Sequence, residues 1–124
     1  MFMLEINKKI LRKVFEELSK IDRLKPTTLW QNDNLTVFWD SNQKIITNLY
    51  DYKFYEILFT QSTAHPERIM TTGRIPTDKS TILIGYSSGF RASNLNNGVL
   101  TFENANGSDN EYFIPYKVLA YEHK

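Results

Sequence analysis

The 124-residue chain has no cysteine, two histidines, five glycines and four prolines, and its formal net charge is +1. Without cysteine there is no disulfide, no thiolate metal site and no cysteine nucleophile. Such a chain suits the cytosol and a particle surface equally. His65, just before Pro66, and His123 lack the H-x-x-x-H spacing of a zinc site and belong to no Ser-His-Asp arrangement that spacing reveals. Neither G-x-x-x-x-G-K-[ST] nor G-x-G-x-x-G occurs, so nucleotide phosphates have no visible cradle. No metal or cofactor is therefore expected, and the leading expectation is not an enzyme. The balanced charge gives no address for nucleic acid or acidic lipid. No stretch of about 18 apolar residues is present, and no basic segment leads an apolar one, so neither membrane insertion nor an export signal is expected.

What the chain does have is aromatic side chains, 14% of the total, with eight Phe, seven Tyr and two Trp. That content suits a sheet-rich core with rings to spare for a surface. A chain of this length is expected to build one core. The pattern divides it into residues 1–26, a helix for oligomerisation or docking, and residues 27–124, a β domain.

The spacing predicts a helix from Leu4 to about Leu24. Leu4, Leu11, Val14, Leu18 and Ile21 follow a 3-4 heptad spacing, with Asn7 in the one slot that is not apolar. Ile6, Ile10 and Phe15 widen the stripe beyond a two-stranded seam. That favours packing on the sheet or a larger bundle such as a trimer. Lys8, Lys9, Arg12 and Lys13 alternate with Glu5, Glu16 and Glu17 at i+3 and i+4, a salt-laced solvated face rather than a nucleic-acid patch. Pro26 ends the helix, because the residue before a proline is pushed out of the helical region.

From Thr27 the period becomes two. Strands are expected at Leu35 to Trp39, Lys44 to Leu49, Tyr52 to Thr60, Arg68 to Ile75, Thr81 to Ser87, Gly98 to Glu103 and Tyr112 to Tyr121, with Phe90 to Ser93 as a short eighth. Asp40-Ser41-Asn42 and Pro76-Thr77-Asp78 read as tight turns, and 94–98 and 104–110 as Asn/Gly-rich loops. Seven or eight short strands make an antiparallel β-sandwich, jelly-roll-like, since one flat sheet of that many could not cover both faces. The closing strand is apolar on both sides, and Pro115 in it calls for an edge or a bulge.

The run GFRASNLNNGVLTFENANGSDNEYFIPYKVLAYE resembles the C-terminal end of short virion proteins of tailed phages of Gram-positive bacteria, in which an I-P-Y-K-(I/V) strand commonly closes the chain. Leu29-Trp30 is similar to that group's opening "LW" segment. Leu49-Tyr50-Asp51-Tyr52 with Tyr55-Glu56-Ile57-Leu58-Phe59 is similar to its "L.DYD..EI.F" strand pair. Arg91 and Val99-Leu100-Thr101-Phe102 stand at matching intervals before the IPYK. The chain departs from the pattern at Gln31-Asn32-Asp33-Asn34, where an Asn/Pro/Ser-rich stretch is usual, and at Lys53 and Phe54. The resemblance implies a virion-associated β domain and carries no catalytic residues.

Binding leaves more traces than catalysis, since aromatic faces with planar hydrogen-bonders hold flat sugars. Trp30, Tyr86, Arg91 and Asn94 are the candidate ligand-contacting residues, Tyr86 and Arg91 flanking Ser87-Ser88-Gly89; Trp39 is assigned to the core beside Leu35 and Val37. For Arg91, a fold-holding ion pair or an intersubunit contact explains the residue equally well. Three functional expectations follow. The first is a homo-oligomeric, trimeric, virion structural or adhesion protein of tail, baseplate or head-fibre type. It would contact other virion proteins and hold a host-surface glycan through its β-sandwich. The second is a soluble phage-encoded factor that binds or sequesters a host defence component. The third is a glycan-trimming enzyme using Asp40, Asp51 and Glu56.

Overall fold

A computed structural model describes residues 2–86, 89–105 and 110–124; the side chains of residues 2–6, 19, 21–24 and 86 lie outside the description. Helix α1 spans Phe2–Leu24. The strands are β1 (Thr27–Gln31), β2 (Lys44–Ile46), β3 (Tyr52–Ser62), β4 (His65–Thr71), β5 (Ile75–Pro76), β6 (Thr81–Tyr86), β7 (Gly89–Asn96), β8 (Val99–Phe102) and β9 (Tyr112–His123). A single 3-10 turn at Leu49–Asp51 leads into β3.

Two antiparallel sheets form a β-sandwich, as the strand pattern predicts. One runs β1-β9-β3-β4 with β5 also paired to β3, and the other runs β2-β8-β7-β6. Ile57, Ile114, Val118 and Ala120 of the first and Ile45, Ile84, Leu95, Leu100 and Phe102 of the second belong to one shared core. This alternation of buried and open positions is what half-covered strands require.

The closing strand β9 lies between β1 and β3, inside its sheet. Pro115 is accommodated by a bulge: Leu58 pairs with Lys117 but Phe59 with Pro115, so Tyr116 is the extra residue where the ladder skips. A missing N–H is tolerated there because the ladder is already interrupted.

Three expectations are corrected. Leu35 to Trp39 is not a strand. Asn32 Oδ1 accepts the backbone N–H of Asn34 at 2.9 Å, and Asn34 Oδ1 accepts that of Thr36 at 3.2 Å, so side chains take donors a ladder would need. The first strand lies earlier, at Thr27–Gln31, where two threonines and Trp30 suit an extended chain paired with β9. The second correction divides Arg68 to Ile75 between β4 and β5. Gly73, at φ +69°, turns the chain, and Thr71 Oγ1 accepts its N–H at 2.9 Å. The third concerns Phe90 to Ser93, which belongs to the full-length interior strand β7. The Asn-rich stretch after it turns only at Asn97 (φ 51°) and Gly98 (φ 76°), the Asn-Gly pair that a two-residue hairpin favours.

Candidate functional site

Arg91 lies in the interior. It is wholly buried on β7, and its guanidinium donates to the carbonyls of Tyr112 (2.8 Å), Trp39 (2.8 Å), Glu103 (3.1 Å) and Asn110 (3.0 Å), and to Asn110 Oδ1 (3.3 Å). Asn110 Oδ1 also accepts the backbone N–H of Ala105 at 3.2 Å. The planar fork of donors thus gathers three irregular segments around one strand, which a lysine could not do. Burial lowers its pKa to about 10, opposed by the charge of Asp40, so it stays protonated at neutral pH. All three guanidinium nitrogens are engaged by the chain's own oxygens, and the side chain is wholly buried. Of the readings open in the sequence, the fold-holding one is what the structure has, with carbonyl acceptors in place of a carboxylate.

The other candidates do not converge with it. Asn94 lies further along β7, where its Oδ1 accepts from Thr81 Oγ1 of the neighbouring edge strand at 3.1 Å. Tyr86 ends β6, paired with Gly89, and its side chain, with Ser87 and Ser88, lies outside the described residues. Trp30 is half-buried and meets Trp39 edge to face, ring centroids 5.6 Å apart. Trp39 meets Phe102 in the same way at 6.0 Å, which carries the pair into the core. Trp39 is core as expected, but Val37, placed beside it by strand alternation, is 53% exposed, because no strand forms there.

The carboxylates considered for hydrolysis are also separate. Asp40 Oδ1 caps a turn by accepting the N–H of Asn42 at 2.8 Å, and Asp51 lies in the 3-10 turn. Glu56, on β3, accepts from Tyr121 Oη at 2.6 Å and from the hydroxyl of Thr71. The Arg74 guanidinium lies 4.1 Å from the centre of the Tyr121 ring. Burial first, then the Glu56 carboxylate, raise the Tyr121 pKa. No hydrogen bond joins these three carboxylates to one another, and both Glu56 oxygens are engaged.

Two open features remain. Along α1 the described part of the seam is uncovered: Leu11 is 55% exposed, Val14 46% and Leu18 49%, with Ile10 and Phe15 beside them at 55% and 66%. The side chains of Leu4 and Ile21 lie outside the description. The helix meets the sandwich at β9, and the described apolar side chains from Ile10 to Leu18 are left open.

The second feature went unnoticed in the sequence. The loop between β1 and β2 folds around a cleft of about 160 Å³ lined by Asn32, Asn34, Val37, Phe38, Trp39 and Gln43. Trp39 is 6% exposed, and its indole Nε1, shut off from water, has no acceptor among the described residues. An unsatisfied buried donor costs about 1–3 kcal/mol, and Trp39 Nε1 shares this state with the hydroxyls of Thr60 and Ser93. The one legible hint was Gln31-Asn32-Asp33-Asn34, the segment that departs from the phage-protein pattern.

No protein-family model, curated protein or solved structure matches the chain.

Proposed function

We propose that this chain is a virion-associated structural and adhesion protein of a tailed phage, in which α1 joins copies into a trimer and the β-sandwich is turned outward toward a host-surface glycan. The observation that carries the reading is the open apolar seam of α1, where Ile10, Leu11, Val14, Phe15 and Leu18 lie exposed together on one helix. Unpartnered helix faces of this kind cover themselves by assembly.

The heptad supports the number of copies. With Leu4, Leu11 and Leu18 at one core position, the other holds Asn7, Val14 and Ile21. Leucine at the first position with β-branched residues at the second favours three or four strands over two. Ile10 and Phe15 flank the seam where a two-stranded coil would carry charges. Burying the open halves of five such side chains contributes roughly 4–8 kcal/mol per copy, taking about 1.5–3 kcal/mol for a whole side chain. Summed over the copies, this offsets an association cost of about 4–15 kcal/mol. The sequence resemblance, through Ile114-Pro115-Tyr116-Lys117, supports the virion setting. Three copies on one rigid trimer would turn weak glycan contacts into useful avidity.

The double substitution Leu11→Gln and Leu18→Gln tests the assembly. Both side chains are about half exposed in the single chain, so the β signal in circular dichroism should persist while the mass by light scattering falls to one chain. A double variant that keeps the mass of the parent would remove α1 as the contact.

A further inference from the structure

We propose that the cleft in the β1–β2 loop binds a neutral sugar carrying an acetamido group, one N-acetylhexosamine unit per chain. The proposal rests on the adhesion reading above and names its ligand class.

The amides of the cleft have their oxygens committed. Asn32 Oδ1 and Asn34 Oδ1 each accept a backbone N–H, and Gln43 Oε1 accepts that of Asp40 at 2.8 Å. Because an N–H must meet oxygen, these bonds fix which end of each amide is which. Asn32 Nδ2 is also taken, by the carbonyl of Pro115 at 3.0 Å. Asn34 Nδ2 and Gln43 Nε2 have no acceptor among the described residues, nor has Trp39 Nε1. The donors open to a ligand are therefore Asn34 Nδ2 and Gln43 Nε2, with Trp39 Nε1 buried behind them, and a ligand that pairs with the two amides supplies an acceptor.

Charge then selects among acceptors. No lysine or arginine lines the cleft, while Asp33 and Asp40 belong to the same loop. An anion would find no cation in the lining, the nearby Arg91 guanidinium being buried on its own carbonyl acceptors, whereas a neutral carbonyl suits the amide donors. Val37 and Phe38, adjacent and each 53% exposed, add an apolar wall on which a methyl group or a sugar face packs. A carbonyl oxygen and a methyl on one small group are what an acetamido substituent presents.

Size agrees. Drug-sized ligands occupy pockets of about 300–1,000 Å³. A cleft of about 160 Å³ is matched to one small group of a ligand, with the rest of the ligand lying over its open mouth.

The two tryptophans of the chain, Trp30 and Trp39, are in ring contact at 5.6 Å, so the site carries its own reporter. The test titrates the full chain with N-acetylglucosamine, N-acetylgalactosamine, glucosamine and glucose. The indole N–H resonances are followed by NMR and assigned with Trp30→Phe; sedimentation of the same protein with purified Gram-positive cell wall runs in parallel. The acetylated sugars should shift the Trp39 resonance saturably, and the other two should not. Asn34→Ala and Phe38→Ala, which remove exposed side chains, should each weaken binding about tenfold. Equal shifts from glucosamine would overturn the acetamido assignment. Sedimentation with cell wall without any Trp39 shift would overturn this site and leave the adhesion reading standing. Failure to bind either sugar or cell wall would overturn both.

Discussion

Arg91 Nη1 donates to the carbonyl oxygen of Trp39 at 2.8 Å, tying an interior strand to a loop residue 52 positions away in sequence. The same guanidinium holds Glu103, Asn110 and Tyr112, so one side chain fixes the loop that carries the cleft and the approach to β9.

Replacing Arg91 by alanine strips several buried carbonyls of their donor at once. The loss should be about 3–5 kcal/mol, read from urea midpoints followed by tryptophan fluorescence. Arg91→Lys should recover less than half of it, because an ammonium cannot fork to acceptors on separate segments.

Gly98 turns β7 into β8 at φ +76°, and a Cβ there would lie 2.6 Å from the carbonyl oxygen of Thr47. That neighbour cannot retreat easily, since Thr47 N and Thr47 Oγ1 both donate to the Gly98 carbonyl at 2.8 Å. Gly98→Ala should therefore destabilise by about 1–3 kcal/mol in the same denaturation assay.

Tyr55 is buried, and burial followed by the charge of Tyr50 raises its pKa from 10.0 to about 12. The folded phenol keeps its proton where the unfolded one ionises. Its contribution to stability is whole below pH 10 and is lost as pH rises through 12. Arg91 works in the opposite sense over much the same range, since its pKa is lowered to about 10. Subtracting a Tyr55→Phe variant isolates the phenol: the stability difference between parent and variant should shift against the parent by about 1 kcal/mol between neutral pH and about pH 11.

Glu56→Gln removes the carboxylate that helps hold the Tyr121 phenol neutral. The Tyr121 pKa should fall in an ultraviolet titration, while sugar binding at the β1–β2 cleft stays unchanged. A loss of binding in this variant would place a functional site on the Glu56 face instead.

Several features were legible because they are local. The 3-4 spacing ending at Pro26 marks α1, Asp40-Ser41-Asn42 does form a turn, and Pro115 announced its bulge. What escaped depends on partners far along the chain or on side chains that compete with the backbone. Leu35 to Trp39 has a strand's alternation, but Asn32 and Asn34 capture the N–H groups on which a strand depends. Arg91, between Phe90 and Ala92, reads in the sequence as a ligand contact, a fold-holding pair or an intersubunit contact, and only the long-range return of Trp39, Glu103 and Tyr112 shows it to be interior. The cleft was hidden for the same reason: Asn34 and Gln43 join one wall only once the loop is folded.

The measurement that bears most directly on the account is the solution mass of the full chain by light scattering on a sizing column. The open α1 seam predicts a species of three times the 14.6 kDa chain mass, stable on dilution into the micromolar range. A single-chain mass at every concentration would contradict it, leaving the apolar face of α1 without the partner on which the account rests.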